Sequence, residues 1–236
     1  MDNTISFEVY GRYALFSDPV MRVGGEKCSY QIPTYEGLKG IVKSIYWKPT
    51  IIWYVDKVRV LNPIQTETKG VCPMKYPSGG REISYYTYLK DVRYQVQAHF
   101  EWNLNRPEFE ADRNVRKHFE MANRMVEKGG RYDIFLGTRE CQAYVEPCEF
   151  GEGSGAYDDI PQLAFGSMYH GITYPDEGYD ETTRHQMTVS HFNAAMENGV
   201  VIFPRPEDCP ARRFVRKAGM KRFESALCKE LGNGIV

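Results

Sequence analysis

Apolar and polar residues alternate over Ile5-Ser6-Phe7-Glu8-Val9-Tyr10-Gly11. That period of two predicts a strand with one buried face, and Arg12 to Phe16 extends it past a glycine kink. Asp18 to Lys27 reads as a glycine-bearing loop with two cations, Arg22 and Lys27. After Pro33 the period changes. Leu38, Ile41, Val42 and Ile45 recur at helical spacing, Thr34 stands where a cap is needed, and Pro49 ends the segment. Ile51 to Val60 is rich in Ile, Val, Trp and Tyr and predicts a second strand. Asn62 to Ser84, punctuated by Pro63, Pro73, Pro77, Gly79 and Gly80, reads as an inserted hairpin or long loop. Tyr85, Tyr86 and Tyr88 follow, as a stacking platform or a sheet face. From Arg93 to Trp102 the alternation returns, with Tyr94, Val96, Ala98 and Phe100 inward and His99 toward solvent. Val115, Ala122 and Val126 mark a second helical face, bordered by Phe119 and Met125 and stopped by Gly129-Gly130. Arg131 to Val145 reads as a strand or hairpin.

This order, β-α-β-β-α-β, predicts an α+β, ferredoxin-like fold, the arrangement also used by RNA-recognition (RRM-like) modules. Phe150-Gly151-Glu152-Gly153-Ser154-Gly155 marks a boundary. Residues 1–147 would be the ferredoxin-like domain and 148–236 a smaller β-rich one. Its four short segments fall around Leu163 to Tyr169, Thr183 to Val189, Val200 to Phe203 and Ala211 to Ala226. The last carries Arg212, Arg213, Arg216, Lys217, Lys221 and Arg222, a basic cluster expected on a helical or irregular tail.

At 236 residues, with 42% hydrophobic and 26% charged residues, the chain can bury a sizeable core as one large domain or two small ones. The formal net charge is -1, so a nucleic-acid surface would require cations segregated from acids. None of the six cysteines forms a C-x-x-C pair, and the five histidines lack metal-ligand spacing, so neither a metal nor another cofactor is expected. No secretory leader or bilayer-length apolar run is evident, and free thiols in a cytoplasmic protein are the expectation.

Against that background Asp112-Arg113-Asn114-Val115-Arg116-Lys117-His118-Phe119 stands out, with three cations besides a histidine at the start of a helix. It is either a solvated helix start or a phosphate-facing site, since orphan N–H groups at a helix N-terminus favour anions. Adjacent helical side chains diverge by about 100°, so Lys117 and His118 can serve one phosphate only from the first turn or two. His118 otherwise shares the apolar direction of Val115 and Ala122. Tyr46 lies about 80° from Leu38, at the edge of the first helix's stripe.

Several longer strings carry a resemblance. They are Ile5 to Ala14, Gly24-Gly25-Glu26-Lys27, Ile45-Tyr46-Trp47-Lys48-Pro49, Ile64-Gln65-Thr66-Glu67, Gln97 to Asn103, and Asp133 to Cys141. From the first strand to about Arg213 the chain resembles the CRISPR-associated repeat endoribonucleases of subtype I-C (Dvulg), in the repeat-associated mysterious protein superfamily. The resemblance implies an enzyme that cuts precursor CRISPR RNA at the base of the repeat hairpin and stays with the guide RNA in a surveillance complex. It implies Tyr46, Lys117 and His118 as the catalytic set. Metal-free RNA cleavage uses the neighbouring 2′-hydroxyl as nucleophile and leaves a 2′,3′-cyclic phosphate and a 5′-hydroxyl. Histidine suits the proton transfer, lysine the developing charge, and a tyrosine hydroxyl the orientation of the reacting groups. Arg22, Lys27, Arg113, Arg116, Arg131 and Arg139 are candidate RNA contacts. Two other readings stay open: a non-catalytic guide-RNA-binding subunit, and a metal-dependent DNA nuclease.

Overall fold

A computed structural model describes residues 3–19, 25–74, 76 and 79–220. Chain order begins with β1 (Thr4–Ala14), β2 (Lys27–Cys28), α1 (Tyr35–Ile45), β3 (Ile51–Val60), β4 (Thr66–Val71) and β5 (Ser84–Trp102). It continues with α2 (Val115–Glu127), β6 (Ile134–Phe135) and β7 (Gln142–Pro147). β8 (Leu163–Thr173), β9 (Gln186–Glu197), β10 (Val200–Ile202) and β11 (Ala211–Lys217) follow. The result is a mostly antiparallel α+β structure with two α-helices among the described residues. No helix among them is long and apolar enough to cross a membrane.

The alternation in β1 does what its period requires. Ile5, Phe7 and Val9 are buried, and Ser6 and Glu8 between them are not. β1 lies between β5 and β7, with Phe7 opposite both Val96 and Pro147. β3 pairs with the far side of β5, so the local strand order is β7-β1-β5-β3. On α1, Leu38, Ile41, Val42 and Ile45 are all buried, and full burial of such a side chain stabilises by about 1.5–3 kcal/mol. Thr34 caps this helix by accepting the Gly37 N–H at 3.2 Å. α2 buries His118, Ala122 and Val126. It ends on Gly129 and Gly130, both at positive φ, whose N–H groups satisfy the Val126 and Met125 carbonyls.

The sheet continues from β3 into the later strands through β10, with Val201 opposite Val58, and then through β9 to β8 and β11. Buried polar contacts join the same parts. Lys39 and Lys43 of α1 both reach Glu177, at 2.5 and 2.6 Å. Arg59 of β3 pairs with Asp158 at 2.7 Å and donates to the Gly153 carbonyl. The His170 ring stacks on Tyr35 at 4.0 Å.

Four expectations are corrected. Ala211–Lys217 is strand rather than helical or irregular tail, because β9 supplies its backbone partners; Lys221 and Arg222 lie outside the described residues. His99 is not simply solvent-facing. A register shift between Val55 and Lys57 brings Asp56 within 2.7 Å of its Nδ1, and Tyr54 stacks on its ring. Tyr46 stands just beyond α1 rather than in it, with extended backbone (φ -154°, ψ 127°), which suits a chain approaching Pro49. The segment expected around Thr183 to Val189 begins as a single 3-10 turn, Thr183–His185, and becomes β9 only at Gln186. The insertion between β3 and β5 is a hairpin, with β4 running antiparallel to the first part of β5. Cys28, Cys72, Cys141, Cys148 and Cys209 are free thiols, and Cys228 lies outside the described residues.

Candidate active site

Two local features bring Tyr46 and His118 together. At the end of α1 the Tyr46 N–H still bonds back to the Val42 carbonyl at 2.9 Å, and its own carbonyl accepts from Trp53 Nε1 at 2.7 Å. The extended backbone then turns the ring inward, and Tyr46 is only 2% exposed. At the start of α2, Asn114 caps the helix by accepting the Lys117 N–H at 3.1 Å. Val115 is the first helical residue, so Lys117 and His118 both fall in the first turn or just beyond it. They diverge as helix geometry demands. The Lys117 side chain is 50% exposed, whereas His118 is fully buried and aligned with Ala122 and Val126.

The His118 ring is engaged on both sides. Its Nδ1 lies 2.8 Å from the Tyr46 hydroxyl, and its Nε2 lies 2.9 Å from the Asp112 carbonyl oxygen. A carbonyl can only accept, so Nε2 carries a hydrogen. In the neutral ring Nδ1 is then a bare acceptor, and the Tyr46 hydroxyl donates to it. Trp102, Phe100 and Tyr46 wall the imidazole, with ring centroids 5.6, 6.1 and 6.0 Å away. Burial, reinforced by the Asp112 charge and opposed by Arg131, pushes the Tyr46 hydroxyl up to about 12. It is therefore a proton donor across the physiological range.

Asp112 links the buried pair to Lys117. Its Oδ1 accepts from Lys117 Nζ at 2.5 Å, its Oδ2 accepts from Thr50 Oγ1 at 2.7 Å, and Oδ2 stands 3.4 Å from His118 Nε2. The Lys117 and Thr50 hydrogen bonds hold the Asp112 carboxyl below its ordinary range. Sequence reasoning gave neither Asp112 nor Thr50 a role. The available signal was an acid five residues before a lysine and six before a histidine, just ahead of a capping Asn.

The expected RNA contacts are scattered. Arg113 is partly buried, and its guanidinium donates to the Asn103 and Arg106 carbonyls at 3.3 and 3.5 Å, so it braces the turn before α2. Arg116 is exposed and pairs with Glu120 at 2.7 Å. Arg131 is exposed beside the end of α1, its N–H bonded to the Ser44 carbonyl at 3.2 Å. Lys27 sits on β2 with its ammonium over the Tyr86 ring. It lines a groove of about 450 Å³ that runs along Gly37, Gly40 and Ser44 of α1. Thr138, the neighbour of exposed Arg139, lines the same groove. The Ser44 end of this groove adjoins the Arg131 loop, so Lys27 and Arg131 flank one path rather than one point. Arg22 lies outside the described residues.

The Cas5d family model, described as CRISPR-associated protein, matches residues 4–204. The chain belongs to the Cas5d family. The match takes in Tyr46, Asp112, Lys117 and His118 and stops short of β11. Two relatives are each named CRISPR pre-crRNA endoribonuclease Cas5d. One, from Mannheimia succiniciproducens, is 30% identical over 233 residues, covering 86% of this chain and 96% of that protein. The other, from Thermus thermophilus, is 31% identical over 190 residues, covering 76% and 78%. Two crystal structures share the fold of this Cas5d family member. One, a CRISPR-associated protein, has a TM-score of 0.73 at 32% identity, covering 89% of this chain and 96% of its own. The other, a functionally uncharacterized protein of Streptococcus mutans, has a TM-score of 0.72 at 34% identity with the same coverage.

Proposed function

We propose that this chain is a metal-independent endoribonuclease that cuts precursor CRISPR RNA within each repeat, at the base of its hairpin, and remains bound in a type I-C surveillance complex. Family membership and the names of its relatives support the activity. The observation that carries the site assignment is the 2.8 Å bond between Tyr46 and His118, which lie on different helices' ends and 72 residues apart. We read the β7-β1-β5-β3 order with α1 and α2 as a ferredoxin-like platform that holds this pair, and residues 148–236 as a second, β-rich domain.

In the proposed reaction the 2′-hydroxyl oxygen attacks the adjacent phosphorus, the bond from phosphorus to the 5′-oxygen breaks, and a proton moves from the nucleophile to the leaving group. His118 and Tyr46 act as one proton-handling unit. With His118 neutral, Tyr46 donates to Nδ1. As the 2′-hydroxyl gives its proton to the Tyr46 oxygen, Tyr46 passes its own to Nδ1; both ring nitrogens then donate, and when the 5′-oxygen leaves, Tyr46 gives it a proton and recovers one from Nδ1. Lys117, the exposed member, meets the charge that builds on the phosphate. The groove from Lys27 to Arg131 offers a path for the flanking backbone, read by shape and phosphate rather than by sequence. The products are a 2′,3′-cyclic phosphate and a 5′-hydroxyl.

A second reading, a guide-RNA-binding subunit without catalysis, is favoured by one observation: His118 has no exposed surface. Comparison of wild type with His118→Ala separates the two. The enzyme reading expects wild type to cut its repeat RNA and the variant to bind the hairpin but leave it whole. Equal cutting by both removes His118 from the chemistry. No cutting by wild type favours the binding subunit.

A further inference from the structure

We propose that Asp112 is the positioning residue of this site, acting on the RNA only through Lys117 and His118. The inference rests on the endoribonuclease reading above. One residue makes three separate contacts on the pair. Its backbone carbonyl fixes the hydrogen of His118 on Nε2, which leaves Nδ1 free to take the Tyr46 proton. Its Oδ1 holds the Lys117 ammonium at 2.5 Å. Its Oδ2, 3.4 Å from Nε2, places a negative charge beside the ring at the moment it becomes imidazolium. Without that charge, a fully buried imidazole would have to charge in an aromatic box of Trp102, Phe100 and Tyr46. The carboxylate is held in turn by the Thr50 hydroxyl at 2.7 Å, so its position does not depend on Lys117 alone. Lys117 and His118 point in different directions from one helical turn, and Asp112 is what couples them across that divergence.

The titratable groups facing the ring are Tyr46 from the end of α1 and Asp112 from the turn before α2, with Lys117 behind Asp112. Arg131, from the loop after α2, acts on Tyr46. Replacing only the carboxylate charge therefore isolates its part. The test is single-turnover cleavage of the repeat RNA over pH 5 to 9, with RNA affinity measured on the same proteins. Asp112→Asn should slow cleavage at saturating enzyme on the order of 10- to 100-fold, a part of what proton transfer contributes. Its acidic limb should move to lower pH, because the imidazolium loses its neighbouring anion, while affinity stays within about twofold. Thr50→Val should shift rate and pH limb the same way but less, and should add nothing in the Asp112→Asn background, since both act through one carboxylate.

An Asp112→Asn protein that cuts at the wild-type rate with an unmoved acidic limb overturns the proposal, and so does one that cuts faster, which would make Asp112 a restraint. Equal loss of affinity and rate would make it a scaffold residue only. Should Asp112→Asn fail to fold, Thr50→Val decides by the same pH readout. If wild type itself leaves the RNA whole, the endoribonuclease reading fails and takes this one with it; if wild type cuts and both variants match it, this one fails alone.

Discussion

His118 has both nitrogens occupied and no contact with solvent, so in the proposed reaction its proton exchange is with Tyr46 rather than with bulk water. Tyr46→Phe removes one oxygen from that exchange and leaves Nδ1 without a donor. The expected cost is about 1–3 kcal/mol of stability, because a buried acceptor goes unsatisfied. Cleavage should fall on the order of 100-fold or more. Urea unfolding and single-turnover kinetics measure the two separately. The same variant carries a pH signature. Burial raises the native hydroxyl to about 12, against about 10 in an unfolded chain. A raised native value means stability that is complete below pH 10 and drains away as pH climbs from 10 to 12. Wild type should therefore lose stability more steeply than Tyr46→Phe across that window. A parallel loss in both would show that Tyr46 keeps no buried proton.

At the scale of elements, the site depends on where α2 starts. The Asn114 cap fixes Val115 as the first helical residue, and with it the directions of Lys117 and His118. Asn114→Ala should cost about 1 kcal/mol, and Asn114→Asp should retain the cap. Cleavage at a temperature where both remain folded should drop several-fold in the alanine variant only. Much of this was legible in advance. Helical spacing put His118 with Val115 and Ala122, the Gly129-Gly130 stop was explicit, and the α1 stripe and Thr34 cap followed from period and chemistry. The missing part was Asp112. It ends an irregular 3-10 turn, Pro107–Asp112, where no period reports side-chain direction. Its contact with Thr50 spans 62 residues, which only tertiary folding closes. The strand at Ala211–Lys217 was hidden for a related reason: all seven residues are exposed, so no buried face imposes alternation.

Across the whole molecule, the glycine-rich stretch Phe150 to Gly155 suggested a division after residue 147, whereas the sheet that runs on through β10 and β3 left no mark in the sequence. That continuity comes from β10 beside β3 and from polar contacts between residues far apart in sequence. Glu177 is the clearest of these, holding Lys39 and Lys43 of α1. The Lys39 side chain is 5% exposed, so Glu177→Gln strands a buried ammonium. The expected loss is about 3–5 kcal/mol in urea unfolding, several times that of an exposed pair. A loss under about 1 kcal/mol would mean that water reaches Lys39 and that α1 is not fastened to the later strands through this cluster. With a net charge of -1, attraction to RNA has to be local; Lys27 lines the groove together with the acid Glu36, and Arg131 stands beyond its Ser44 end. In the proposed reaction these parts serve cleavage by the RNA's own 2′-hydroxyl. The direct measurement is incubation with repeat RNA in excess chelator, beside the same RNA carrying one 2′-deoxy nucleotide at the cut. The first should be cut in full, with a 2′,3′-cyclic phosphate on its upstream product, and the second not at all. Cutting of the deoxy substrate, or loss of all cutting in chelator, would contradict that reaction.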